Sequence, residues 1–274
     1  MNRETLINFI DPVFYPLAAL ARRSRGVRVL MYHLVAKQPN QSEKNQLTVS
    51  QARFRAQLEI IRSSGFKVVS MQEAVATLKS SADLGQYLAL TFDDFFADTV
   101  ENAVPLLKEF KFPASFYVAT NFIGSSQKFP WLEKGQDYPL AGTRKMVEEI
   151  AGLGFELGSH SCSHPVLSRL PPEQVREELT RSRKVLEDII GRAVNLFSYP
   201  FGLPSVAPAP VKKLVADSGY AVALGTLMGV NRDFREPYYL RRNHISEFDH
   251  GAKFLRKLQG SRDWFIIWQR LRDR

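Results

Sequence analysis

The sequence predicts an α/β chain in which a parallel sheet is covered by helices on both faces. Two observations carry this expectation. From residue 27 to about 245, short apolar runs alternate with longer stretches of helical periodicity, and the polar clusters that interrupt them fall at the ends of the predicted strands. The rhythm leaves two architectures open, a barrel of about seven parallel strands or an open doubly wound sheet. With 274 residues, 45% of them hydrophobic, the chain can bury a sizeable core. No repeat, low-complexity tract or linker divides it, so a single domain is expected.

VRVLMYH (27–33) reads as a buried strand. Residues 50–64 carry Phe54, Leu58 and Ile61 at helical spacing, with Gly65 as a stop. The strand FKVVS (66–70), a helix over 71–80, the strand YLALTFDD (87–94), a helix over 98–110 and the strand ASFYVA (114–119) follow. The second half repeats the rhythm with a helix near 143–152 and the strand FELGSHS (155–161). A helix over 172–190 starts at Pro171 and Pro172, carries Val175, Leu179, Leu186 and Ile189 as its apolar stripe, and stops at Gly191. NLFSYP (195–200), a helix near 208–218 and YAVALGT (220–226) complete the set.

The net charge of +9 resides at the ends. Residues 1–28 carry +3 and residues 251–274 carry +5, whereas the middle is nearly neutral with 25 basic and 24 acidic side chains. This divides the chain into an N-terminal amphipathic extension (1–26), a central domain (27–250) and a basic amphipathic C-terminal helix (251–274). Trp, Phe and Ile mixed with Arg in that tail suit either an anionic membrane surface or a terminal helix packed on the domain. No nucleic-acid partner is expected, because no basic surface or recognition motif occupies the centre. Asp11, Pro12 and Pro16 break the first apolar stretch and its positive charge follows it, the reverse of a cleavable signal. The expectation is a cytoplasmic protein or one peripheral to the inner membrane. One cysteine, Cys162, excludes an intramolecular disulfide.

Three clusters at strand ends carry chemistry. Asp93-Asp94 ends YLALTFDD; neighbouring strand-end residues diverge, so one carboxylate can bind a metal while the other faces a substrate, although such a pair also suits a turn or helix cap. His160 and His164 stand at i and i+4 in a chain with five His, a spacing that lets two imidazoles share one ion. One carboxylate and two imidazoles leave open positions for water and substrate. Cys162, between them, reads as small packing, with a soft ligand or a nucleophile as the alternative. His33 and His244 are candidate proton donors, each also readable as structural.

LTFDD (90–94), PASFYV (113–118), ELGSHSCSH (156–164) and SYPFG (198–202), in this order and spacing, resemble the polysaccharide deacetylases of carbohydrate esterase family 4. The resemblance spans roughly residues 27–245. It implies a distorted (β/α) barrel and a hydrolase acting on carbon–nitrogen bonds other than peptide bonds, which removes N-acetyl groups from an amino-sugar polysaccharide. It further implies Asp93 as general base, Asp94, His160 and His164 as ligands of a divalent metal (zinc, with cobalt or nickel as alternatives), and Tyr199, Pro200, Phe201 and Gly202 as a groove wall with a backbone N–H, that of Tyr199, for the oxyanion. The opening VLMYH is similar to the bacterial exopolysaccharide deacetylases in which the strand bearing the acid moves to the start of the chain; His33 is then the general acid, with His244 as the fallback.

Two departures stand out. Phe95 occupies the position after the paired Asp where the family has Gly, and Ser198 stands where an Arg orients the base; Arg241 or Arg242 could supply that charge. Tyr199, Phe201, Trp131 and Phe95 are candidate sugar-stacking walls. Two other readings stay open, a deacylase or deformylase of a lipid-linked sugar at the membrane surface and a saccharide-binding protein without turnover.

Overall fold

The computed structural model describes residues 25–38, 47–80, 84–132, 138–263 and 265–272. The predicted N-terminal extension therefore lies almost wholly outside the described residues. The strands are β1 (Gly26–Tyr32), β2 (Leu34–Ala36), β3 (Thr48–Ser50), β4 (Lys67–Val68), β5 (Gln86–Phe92), β6 (Ser115–Val118), β7 (Glu156–Ser159), β8 (Leu196–Ser198), β9 (Val222–Leu224) and β10 (Asn243–His244). The helices are α1 (Gln51–Ser63), α2 (Met71–Ser80), α3 (Ala97–Phe110), α4 (Arg144–Gly152), α5 (Pro172–Ile190), α6 (Ala209–Asp217), α7 (Gly251–Leu258) and α8 (Phe265–Arg272).

The main sheet is parallel in the order β10-β1-β5-β6-β7-β8-β9, with β4 pairing the start of β5. Fully buried β1 matches β5 residue for residue from Gly26↔Gln86 to Tyr32↔Phe92. A strand flanked on both edges and faces has no polar face to show, which is why GVRVLMY has no alternation. The sheet curls, and one segment joins its two ends: Leu240 bridges Leu224 of β9, and three residues later Asn243 and His244 pair with Leu30 and Met31 of β1. This seam makes the predicted distorted barrel. Arg242 lies within it and is fully buried.

Helix ends follow their sequence signals. Ser50 caps α1 by accepting from Arg53 N, and Phe54, Leu58 and Ile61 form its buried stripe. Pro172 opens α5, and Gly191 closes it at φ 68°, the left-handed conformation glycine adopts without a Cβ penalty.

The C-terminal segment differs from the single helix expected over 251–274. It is two helices, broken at a turn containing Gly260 (φ 92°). Phe254 and Leu258 are fully buried in the main core. Lys257 Nζ donates to Asp249 at 2.7 Å, and Arg28 makes a two-pronged bond to Asp263 at 2.7 and 3.0 Å. Residues 251–263 are thus part of the domain. Among the described residues no helix is long and apolar enough to cross a membrane.

Candidate active site

The β5–α3, β7–α5 and β8–α6 loops and the seam meet at one rim, where a parallel barrel gathers its reactive groups. Asp94 (φ 69°), Phe95 (φ 58°), Ser161 (φ 66°), His164 (φ 59°) and Phe201 (φ 61°) are left-handed here; among the described non-glycine residues Lys111 is the sixth. Each such backbone costs of order 1–3 kcal/mol and persists where its surroundings over-determine it, so their concentration marks a built site.

Asp93 and Asp94 part company at the end of β5. Asp93 turns into the barrel, where Arg242 grips it with two 2.7 Å bonds, NH1 to Oδ1 and NH2 to Oδ2. Ser198 Oγ accepts from Arg242 at 2.8 Å and donates to Asp93 Oδ2 at 3.2 Å. Burial opposes the Asp93 charge, but Arg242, His160 and His33 together outweigh it and hold the carboxyl well below its ordinary value. The charge absent at position 198 is supplied from residue 242.

Asp94 faces the other way. Its Oδ1 is buried without a hydrogen-bond partner and lies 3.7 Å from His160 Nε2 and 3.6 Å from His164 Nε2. Ligand atoms of the three residues all fall within 4.8 Å of one another. His160 Nδ1 sits 2.8 Å from the Ser198 carbonyl; donating there leaves Nε2 with its lone pair toward Asp94. Burial lowers both imidazoles, and burial together with the Asp93 charge raises the Asp94 carboxyl well above its ordinary value. Two neutral imidazoles, an orphaned oxygen and a carboxylate short of positive charge are what a divalent cation satisfies, so these residues fit one.

The loop that carries both His is tied to α5 by Glu178, a residue the sequence did not single out. Its Oε2 accepts from Cys162 N at 2.8 Å and Ser163 N at 2.9 Å, and its Oε1 from Ser163 Oγ at 2.6 Å. Cys162 is buried, and burial pushes its thiol up, in keeping with packing between the ligands.

His33 follows β1 directly, with its ring 5.8 Å from that of His244. Its Nδ1 is buried without a partner. Burial above all moves the ring down to about 4, so it is neutral at pH 7.

Three expectations for the walls are corrected. Tyr199 N–H donates to Leu224 O at 3.1 Å, spent on the sheet and not free for an oxyanion, and its ring is buried with the hydroxyl on Tyr238 O. Phe95 is not a wall: the ring is fully buried, edge-on to Phe116, and fits because Gly142 opposite has no Cβ; one there would stand 2.6 Å from Phe95 Cε1. Pro200 and Gly202 are buried too. In SYPFG, Phe201 is 46% exposed, with its ring 4.8 Å from His164. Trp131 stacks on the same imidazole.

Residues 81–223 match the family model for polysaccharide deacetylase. The chain is 24% identical over 260 residues to the poly-β-1,6-N-acetyl-D-glucosamine N-deacetylase of Staphylococcus aureus (strain MRSA252), covering 87% of this chain and 86% of that protein. Among solved structures, IcaB from Ammonifex degensii superposes with a TM-score of 0.73 at 23% identity, covering 87% of this chain and 99% of that one. The Streptococcus pyogenes deacetylase PplD in complex with acetate gives 0.71 at 23%, covering 85% and 98%. These two likenesses speak to the fold.

Proposed function

The chain belongs to the polysaccharide deacetylase family, and on that premise we propose that it hydrolyses N-acetyl groups from a polymer of N-acetylglucosamine, with β-1,6 linkage as the first candidate. The observation that carries the reading is the division of the paired carboxylates. Asp93 is clamped and ionised on Arg242, while Asp94 is left facing two neutral imidazoles. The linkage rests on the likeness to the staphylococcal protein.

Asp94, His160 and His164 would hold a divalent ion, zinc before cobalt or nickel because of the two imidazoles. Such an ion, when bound, supplies Lewis acidity toward the amide carbonyl and makes water more acidic. Asp93 takes a proton from the attacking water, and Arg242 with Ser198 fixes the carboxylate in the direction that needs. The backbone N–H of Phe201, the exposed residue of SYPFG whose ring lies 4.8 Å from that of His164, is the candidate donor to the oxyanion. His33, neutral at rest, can accept at one ring nitrogen and donate from the other, passing the proton to the departing amine. The C–N bond breaks, the sugar keeps a free amine, and acetate leaves.

The test is acetate release from β-1,6-linked N-acetylglucosamine oligomers with and without chelator, with zinc restored, and with Asp93→Asn. Chelator-sensitive release that zinc restores and Asp93→Asn lowers by a factor of about 10² or more supports the reading. Release indifferent to both treatments contradicts it.

A further inference from the structure

Trp131 lies in the long loop between β6 and α4, far in sequence from every candidate ligand, yet its indole stacks on His164 with ring centroids 3.7 Å apart and planes 11° apart. Its indole N–H reaches the Asp94 carboxyl. One side chain therefore touches two of the three candidate metal ligands. The His164 ring carries no hydrogen bond at Nδ1, so its orientation depends on its ring contacts, with Trp131 on its face and Phe201 and His160 edge-on.

The sequence builds this contact as a closed circuit. Phe96, two residues after Asp94, is fully buried and meets Phe129 edge-on at 4.9 Å. Phe129 stacks on Trp131 at 4.6 Å, and Trp131 returns to Asp94. Backbone bonds hold the same loop to both ligand-bearing turns. Gly142 N donates to Phe95 O at 2.8 Å beside Asp94, and Thr120 N and Asn121 N donate to Ser161 O and Cys162 O at 3.1 and 3.0 Å beside His160.

We infer that Trp131 is a positioning residue of the metal centre, holding the His164 ring by stacking and the Asp94 carboxylate by its indole N–H. The inference rests on the metal reading above and extends it to a residue that is not a ligand. Outer partners that orient ligands are worth a factor of about 10–100 in metal affinity.

The experiment is a Co2+ titration of the full chain, read by the visible Co2+ spectrum and by competition with a chelating dye, for wild type, Trp131→Phe and Trp131→Leu. Trp131→Phe keeps an aromatic face and loses the N–H; Trp131→Leu loses both. Thermal unfolding of each metal-free protein confirms a native fold. The expected result is a Co2+ dissociation constant raised about 10-fold for Phe and about 100-fold for Leu, with an altered Co2+ spectrum. Folded variants with wild-type affinity and spectrum overturn the role of Trp131 and leave the metal reading intact. Wild-type protein that binds no Co2+ overturns the metal reading and this inference together.

Discussion

Replacing Arg242 with Met leaves the Asp93 carboxylate buried at 2% exposure with Ser198 Oγ as its remaining hydrogen-bond donor. Two charge-assisted bonds of 2.7 Å are lost, and at that exposure solvent replaces little of them. Removing one member of a buried pair costs about 3–5 kcal/mol, which for a domain of this size lowers the melting temperature by roughly 10 °C. The pH dependence has a definite sign. In the native pair the carboxyl is held below its ordinary value of about 3.9, so its stabilisation is present above about pH 4 and is lost as pH falls toward the folded value. Without Arg242, burial raises the carboxyl, and the penalty is full at neutral pH and gone below about pH 4. The gap between the two proteins therefore narrows on acidification. Thermal and denaturant unfolding by circular dichroism in chelator, for the two single variants and for Arg242→Met with Asp93→Asn, measures this. The double variant should recover most of the loss. A gap that does not change with pH, or a double variant no better than Arg242→Met, refutes the clamp.

Deleting residues 251–274 removes Phe254 and Leu258 from the core and leaves buried Asp249 and Arg28 without Lys257 and Asp263, so the fragment should lose its near-ultraviolet circular dichroism; a cooperatively folding fragment would show the tail to be an appendage. Gly142→Ala drives a Cβ into the fully buried Phe95 ring and should cost about 1–3 kcal/mol in denaturant unfolding, whereas an unchanged midpoint would mean the Asp94 turn yields freely. His33→Gln should lower kcat by about 10²–10⁴ with KM little changed, and a larger loss in His244→Gln than in His33→Gln would move the proton donor to His244.

The strands, helices and caps that place the site were legible because their signals are local. Ser50, Pro172 and Gly191 act where they stand, and the runs ending at Asp93 and His160 announce strand ends. The short strands β2, β3 and β10 were not legible: unlike β4, β8 and β9, which are as short, they do not sit within a longer apolar run. Position 242 was one of two Arg named for the missing charge; choosing it requires knowing that Leu240 pairs with β9 and Asn243 with β1, a long-range closure. The direction of Phe95 depends on a glycine 47 positions away in the chain, and the Tyr199 N–H on its neighbour strand. Trp131 was visible as a possible sugar platform, but its hold on His164 arises from an aromatic cluster assembled across four elements and loops. Gly260, which breaks the C-terminal helix in two, was an available signal that the tail's amphipathic spacing masked.

The central claim is that Asp94, His160 and His164 form one metal site that serves the base Asp93. The most direct measurement is a stoichiometric one: metal-free protein is titrated with zinc while bound metal and acetate release from N-acetylglucosamine oligomers are followed in the same samples, alongside Asp94→Asn and Asp93→Asn. Release should rise with bound metal and stop at one equivalent; Asp94→Asn should lose both metal and release, and Asp93→Asn should keep the metal and lose the release. An Asp93→Asn protein that hydrolyses at the wild-type rate, or an Asp94→Asn protein that binds zinc as tightly as wild type, would contradict the assignment.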